Sequence, residues 1–420
     1  MSLAGHGYKI TPIKSAAAGK GEIAVTGTGE VEQEQEPRHP GWQPLARVLD
    51  TTSPFFERFL FLRSFEDFCS NIYVLMGDYL TIVDPGNDYT AFIDLFKIQV
   101  KPEDIKKVVL THGHPDHAMG AFELLRSYPS LVQGGGFELI LHEAAPPQLK
   151  EVVKEFGSRV TEVRGGETLE LGGTEWEVIH TPGHTIDGIC LYHAPTKTVF
   201  TGDMALPQAM GAPDPHAGGS LEHYLFGLRA LLKREIENVL PGHGLPVAGI
   251  GRKVIEETYE SVMMKVIGAE DPIPWIQGAT ALAQKGLLEE VVFCSDKELA
   301  RDPENVKALE LKASCLTDLG RSHEAVEVFD KILAQKGDHA FALTGKGCAL
   351  MGLGRHEESL PCFDAALQRD PKSREALIYK GMALYLSGRQ DEAMDIEAFR
   401  TEFVGRFTEE LRRKVDPSGQ

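Results

Sequence analysis

Cysteine is scarce in this chain: six in 420 residues, Cys69, Cys190, Cys294, Cys315, Cys348 and Cys362, irregularly spaced and without a C-x-x-C pair. A disulfide framework is excluded in a chain of this length that shows no secretion signal. Long apolar runs are also missing. No stretch reaches the roughly 18 apolar residues of a membrane-spanning helix. The N-terminus sets Lys9, Lys14 and Lys20 among Gly and Ala and lacks the continuous apolar core of a signal peptide. Positive charge is in deficit, with 43 Lys and Arg against 62 Asp and Glu, a formal net charge of −19. Such a field repels nucleic acid and anionic membrane surfaces, and no Lys/Arg block overrides it. These absences together predict a cytoplasmic protein with neither a nucleic-acid nor a membrane partner.

What is present is ordinary globular material. The apolar fraction is 42% and the charged fraction 25%, enough for cores of normal size in two or more domains. Residues 1–44 are rich in Gly, Ala, Glu and Gln, and four glutamates fall between Glu30 and Glu36; the composition predicts a poorly ordered extension. From about Leu45 the pattern turns to strands. Asn71–Leu75 and Tyr79–Val83 flank Gly77-Asp78, a hairpin signal. Thr90–Phe96 suits a helix, Lys107–Thr111 a buried strand, and Ala118–Ser127 another helix. Further strand candidates are Glu138–Leu141, Glu175–His180, Gly188–His193, Thr198–Thr201 and Val239–Leu240, with a helix over Leu221–Leu232. Strands and helices mixed through 45–270 predict an α/β domain with substantial sheet.

Past residue 270 the strand signal stops and a repeat begins. Gly286, Gly320, Gly354 and Gly388 each stand 34 residues from the last. Arg321, Arg355 and Arg389 follow three of them. Leu282, Leu316, Leu350 and Leu384 keep the same register, as do Trp275, Leu309, Leu343 and Leu377, the small residues Ala279, Ala313, Gly347 and Gly381, and Glu290, Glu324, Glu358 and Glu392. Pro303 and Pro371 mark the junctions, with Gly337 between them. Small residues let paired helices approach, Gly ends the first helix in a left-handed conformation, and Pro ends the unit. This pattern resembles the tetratricopeptide repeat, in four copies over about 272–405. The resemblance implies an all-α array presenting a groove to a protein or peptide partner, or packing on its own chain. The aromatic at Phe329 and Phe363 is Ser295 in the first copy and Glu397 in the last, where atypical capping units are expected.

The sharpest local signal is Thr111-His112-Gly113-His114-Pro115-Asp116-His117, set between a strand and a helix. Residues two apart in an extended segment point the same way, so His112 and His114 converge on one cation. Pro115 breaks the strand, and Asp116 and His117 face a second cation from the start of the helix. His184 follows in Thr-Pro-Gly-His-Thr, Asp203 in Thr-Gly-Asp, and His243 in Pro-Gly-His-Gly, each just past a strand end and beside a glycine.

Together these segments resemble the metallo-β-lactamase fold superfamily, over roughly 45–270. The resemblance implies an αββα sandwich followed here by the all-α repeat domain. It also implies two divalent metal ions, Zn by preference with Fe or Mn as alternatives for a nitrogen and oxygen donor set. His112, His114 and His184 would hold one, Asp116, His117 and His243 the other, and Asp203 would bridge them. Asp116 and Asp84 are the candidate catalytic carboxylates, Asp84 as the group orienting a metal-bound histidine or as a turn former beside Pro85. The implied chemistry is attack on a small thioester, ester or lactone by a metal-bound hydroxide. The bridging Asp203 sets the chain apart from the β-lactamases and makes it similar to the glyoxalase II-like branch, although repeats stand where glyoxalase II has glutathione-binding helices. Three alternatives stay open: a mononuclear iron persulfide dioxygenase using His112, His184 and Asp203, a phosphodiesterase or endoribonuclease, and a repeat scaffold with an inert metal domain. The irregular segment 206–219, leaving a metal ligand, is expected to contact substrate through Met210 and His216. Asp271-Pro272-Ile273-Pro274 is the expected linker, and 406–420 a tail.

Overall fold

Strands whose two faces are both apolar must be covered on both sides, and the chain does this by stacking two sheets. The first has seven strands in sequence order: β1 (Gln43–Pro44), β2 (Phe59–Leu62), β3 (Ile72–Met76), β4 (Leu80–Val83), β5 (Ile105–Val109), β6 (Glu138–His142) and β7 (Arg159–Val163). The second has five, β8 (Thr168–Leu171), β9 (Thr174–His180), β10 (Ile189–His193), β11 (Thr198–Gly202) and β12 (Asn238–Pro241), in the order β12-β11-β10-β9-β8. In the computed structural model the described residues are 41–403 and 405, without 65–68, 88, 98–99, 133–135 and 270–272. Nearly all of the expected extension, the Asp271-Pro272 half of the expected linker and the tail 406–420 lie outside them. Among the described residues no helix is long and apolar enough to cross a membrane.

Three cores make the layers. Between the sheets, Phe61, Tyr73, Val109 and Ile140 meet Trp176, Leu191, Phe200 and Leu240, all buried; each such side chain contributes about 1.5–3 kcal/mol. Outside the first sheet, helices α3 (Thr90–Lys97) and α4 (Pro115–Ser127) press Phe92, Leu95, Ala121 and Leu125 onto Val74, Ile82, Val108 and Leu139. Outside the second, α6 (Leu221–Leu232) and α7 (Gly251–Ile267) press Leu228, Ile255 and Val262 onto Ile179, Val199 and Val239. Short α1 (Leu45–Val48), α2 (Pro54–Glu57) and α5 (Pro147–Glu155) complete the body. The result is the expected αββα sandwich.

The expected elements all form, with ends moved by one to three residues. Helix α4 starts earlier than expected because Pro115 sits at its first turn, where a missing N–H costs nothing. Strand β5 ends earlier because the Thr111 amide leaves the ladder and donates to Asp84 Oδ1 at 2.7 Å. Strands β2, β7 and β8 were not anticipated. Every residue of β2 is buried, so no alternation marks it, and β7 and β8 carry charged residues along half-exposed surfaces.

The C-terminal half is four helix pairs: α8 (Trp275–Gln284) with α9 (Leu288–Leu299), α10 (Val306–Asp318) with α11 (Ser322–Gln335), α12 (Ala340–Gly352) with α13 (His356–Arg369), and α14 (Arg374–Leu386) with α15 (Gln390–Asp395). The register glycines behave as expected, with φ of 74, 73, 73 and 82° at Gly286, Gly320, Gly354 and Gly388. The small positions are tight: a Cβ on Gly347 would lie 2.5 Å from Phe363, and one on Gly381 would lie 2.4 Å from Phe399. In the last copy the helix breaks at Ile396, so Phe399 fills the site and Glu397 is exposed.

One register position changes use. Arg321, Arg355 and Arg389 pair with Glu324, Glu358 and Glu392 at the start of each second helix. The first copy has Leu287 in place of that arginine. Its Glu290 is fully buried and turns inward, where Oε1 accepts from Arg229 Nη1 of α6 at 2.8 Å and from the Tyr259 hydroxyl of α7 at 2.8 Å. Lys297 of α9 bridges Glu256 and Glu260 of α7. One apolar core runs from Ile179 through Leu282 and Val291 to Ala349. The expected linker therefore joins elements that share a core.

Candidate metal centre

The two parallel strands β4 and β5 end on the same edge of the first sheet, and β9, β11 and β12 run together to one edge of the second. Asp84, the segment Thr111–His117, His184, Asp203 and His243 all follow those ends. Side chains scattered over 160 residues of sequence therefore meet at one rim of the sandwich, the usual place for a site in such sheets.

All seven expected ligands come together. Ligand atoms of His112, His114 and His184 lie within 4.8 Å of one another, and so do those of Asp116, His117 and His243. Asp203 stands between the groups: its Oδ1 is 3.4 Å from His117 Nε2, and its Oδ2 is 3.7 Å from His184 Nε2 and 3.6 Å from His243 Nε2. Glycine makes this approach feasible, since a Cβ on Gly242 would fall 2.4 Å from Asp203 Oδ1 and 2.7 Å from His117 Cε1.

The hydrogen bonds assign a tautomer to His184, His114, His112 and His117. His184 Nδ1 donates to the Ala212 carbonyl at 2.6 Å, and His114 Nε2 to Asp214 Oδ2 at 3.1 Å. Thr111 Oγ1 gives its proton to Asp84 Oδ2 and accepts from His112 Nδ1 at 3.2 Å. Three lone pairs are left facing one another, with His114 Nδ1 at 3.2 Å from His112 Nε2 and 2.9 Å from His184 Nε2. A shared cation would satisfy all three acceptors at that spacing. In the other group His117 Nδ1 donates to Asp84 Oδ2 at 2.8 Å, which leaves His117 Nε2 and Asp203 Oδ1 buried without a hydrogen-bond partner. The donor set thus fits two divalent cations of the kind this fold implies.

Charge follows the same logic. Burial, aided by His117, holds the His112 imidazole well below its ordinary value, and burial lowers His184 too. Burial also opposes a proton on His117, but Asp84 and Asp203 outweigh it and hold that imidazole well above its ordinary value. A cation and a proton therefore compete for His117 Nε2. Burial works to raise Asp203, yet His117, His112 and His243 hold it far below the carboxylate range. Asp116 is likewise kept low by His243 and His117 against its partial burial.

Asp84 turns both oxygens to Thr111 and His117, away from the lone-pair cluster, and is 2% exposed. Its φ of 51° is a left-handed strain for a non-glycine residue, held by these bonds. Several contributors had no signal in the sequence. Asn71 donates to the Pro241 and Gly244 carbonyls, and Tyr73 donates to Pro241, fixing the turn that carries His243. The Tyr224 hydroxyl of α6 donates to the Asp203 carbonyl at 2.8 Å. The segment 206–219 contributes Ala212 and Asp214 as partners of His184 and His114, while His216 is exposed. The segment thereby fixes the His184 and His114 rings.

Comparison with known proteins agrees with the geometry. Residues 66–243 match the metallo-β-lactamase superfamily, and 296–340 and 344–399 match the tetratricopeptide repeat. An uncharacterized protein of Mycobacterium leprae is 32% identical over 41% of this chain and 86% of its own length. An atrochrysone carboxyl ACP thioesterase of Aspergillus aculeatus is 26% identical over 45% of this chain and 54% of its own. The hydroxyacylglutathione hydrolase GloC of Haemophilus influenzae is 28% identical over 39% of this chain and 79% of its own. The chain spans about half the length of the fungal thioesterase it matches. With its two-sheet body, its histidine and aspartate cluster and its helical repeats, this chain belongs to the metallo-β-lactamase superfamily and carries tetratricopeptide repeats behind that fold.

Proposed function

We propose that this chain is a binuclear metal-dependent hydrolase of a thioester or a closely related activated acyl compound. The observation that carries this reading is Asp203, whose two oxygens face the two histidine groups at 3.4–3.7 Å. His112, His114 and His184 would hold one cation, Asp116, His117 and His243 the other, with Asp203 shared. Two divalent cations so placed supply Lewis acidity and lower the pKa of water.

The chain's own residues do the rest. His114, Asp116 and His243 are the most exposed members of the cluster, so substrate approaches over them. Asp116 is ionised at neutral pH and serves as ligand and proton acceptor, not as an acid. Asp84, Asp214 and the Ala212 carbonyl orient the rings. The relatives named as a thioesterase and as a hydroxyacylglutathione hydrolase support an acyl substrate.

The test is metal analysis of purified protein, followed by a panel of an S-acyl-N-acetylcysteamine, a simple ester, a lactone, a phosphodiester and glutathione persulfide. Two metals per chain and fastest turnover of the thioester are expected, and Asp203→Asn should lose both metal and turnover. One iron per chain with oxygen uptake on the persulfide would replace this reading with the dioxygenase. Turnover of the phosphodiester alone would replace it with phosphodiester cleavage.

A further inference from the structure

Helix α6 touches both the metal centre and the first repeat. Its amino-terminal half is set against the backbone that carries two of the candidate ligands. The Tyr224 hydroxyl donates to the Asp203 carbonyl at 2.8 Å, and the amide of Ser220, the residue before the helix, donates to the Gly183 carbonyl at 3.0 Å. Two glycines make the approach close. A Cβ on Gly183, beside His184, would lie 2.6 Å from Tyr224 Cα, and one on Gly227 would lie 2.9 Å from the Pro182 carbonyl oxygen. At these points helix and loop meet backbone to backbone, so a shift of one is felt by the other.

Farther along, the same helix is tied to the array. Arg229 follows Tyr224 by five residues, about 140° around the helix axis, and so leaves from a different face. Its Nη1 donates to Glu290 Oε1 of α9 at 2.8 Å, and the Tyr259 hydroxyl of α7 donates to the same oxygen at 2.8 Å. In the other three copies the glutamate of this register pairs with an arginine of its own repeat. The copy beside α6 sends it out of the array instead, fully buried. A helix of twelve residues carries a displacement from one end to the other as a rigid element.

We infer that Glu290 and Arg229 are positioning residues of the metal centre: through their ion pair the first repeat sets where α6 holds the Asp203 carbonyl and the Gly183–His184 backbone. Neither residue touches a cation or substrate. Without the pair, α6 settles differently, and Asp203, which both ligand groups share, leaves its place between them. Groups that hold a metal ligand in place commonly account for about 10–100-fold in metal affinity. This inference rests on the two-cation reading of the centre and is indifferent to the substrate.

The readout is metal retention. The full chain, loaded with Zn, is titrated with a chromogenic chelator, and circular dichroism of the same samples reports folding. Tyr224→Phe should weaken metal binding about tenfold. Glu290→Gln and Arg229→Met should each weaken it about threefold or more, with circular dichroism unchanged. Because both act through α6, the loss in the double variant Glu290→Gln/Tyr224→Phe should fall well short of the product of the two single losses. Lys297→Met breaks the ion pairs of α9 with Glu256 and Glu260 of α7, a contact between the same two halves that leaves α6 alone, and should change retention less than about twofold. Retention at the parent's level in both Glu290→Gln and Arg229→Met, a double-variant loss equal to the full product, or an equal loss in Lys297→Met would overturn the inference. A parent chain that takes up no divalent metal would end the binuclear reading with it. Two metals per chain, held with indifference to Glu290 and Arg229, would end this inference alone.

Discussion

Glu290 is the place where removing one side chain should be felt at the junction of the two halves. It is fully buried, and its Oε1 takes hydrogen bonds from both Arg229 and Tyr259. Glu290→Ala leaves a guanidinium and a buried phenol without their shared acceptor. Breaking a buried pair costs about 3–5 kcal/mol, and the 31% exposure of Arg229 reduces this to about 2–4 kcal/mol by admitting water to the cation. Glu290→Gln keeps one acceptor oxygen and should cost about half as much. The internal control is Glu324, which holds the same register one repeat later and pairs with Arg321 in solvent; Glu324→Ala should cost under about 1 kcal/mol. Urea unfolding monitored by circular dichroism gives the differences, and limited proteolysis near residue 270 locates them. If Glu290→Ala costs no more than Glu324→Ala, the buried pair does not join the halves and the reasoning fails.

Two further outcomes follow from the metal site. Asp84→Asn cannot accept from the Thr111 amide, the Thr111 hydroxyl and His117 Nδ1 together, so the cation at His117 should bind about 10–100-fold more weakly while the other, whose His112 reaches Asp84 only through the Thr111 hydroxyl, loses less, as a two-site metal titration would show. Because Asp84 and Asp203 hold His117 above its ordinary value, metal uptake must displace that proton. Affinity should therefore rise with pH up to the raised value and level off beyond it, with proton release visible in a weakly buffered indicator solution; release that is the same at every pH would contradict the assignment.

The residues of the candidate metal centre were legible because each sits in a short segment that joins a strand end, a glycine and a donor, as in Thr201-Gly202-Asp203. The repeat was legible because its constraints recur. What the sequence hid was contact between distant segments. Asp214 partners His114 across 100 residues, and Asn71 holds the Pro241 turn across 170; neither residue lies in a pattern that names its partner. Strand β2 was hidden for the opposite reason, since a strand buried on both faces loses its alternation. Glu290 looked like one more member of a periodic column, and only the loss of arginine at Leu287 hinted that its partner lay elsewhere. The prolines near 272 mark the expected linker, and a break in the backbone pattern carries no information about whether the flanking helices share a core.

That shared core makes the body of the molecule a mould on which the first helical pair is cast. The continuous apolar cluster reaches Ala349, whereas the side chains from Leu360 to Phe399 form a small cluster of their own. Helical arrays gain their order from their neighbours. Among the described residues the array is anchored at its first pair, and its loosening has a direction. Amide exchange should be fastest in α14 and α15 and slow progressively toward α8, like a zip that opens from its free end. Shortening the array one unit at a time should be tolerated from that end, while the first pair is as much a part of the two-sheet body as α6 and α7.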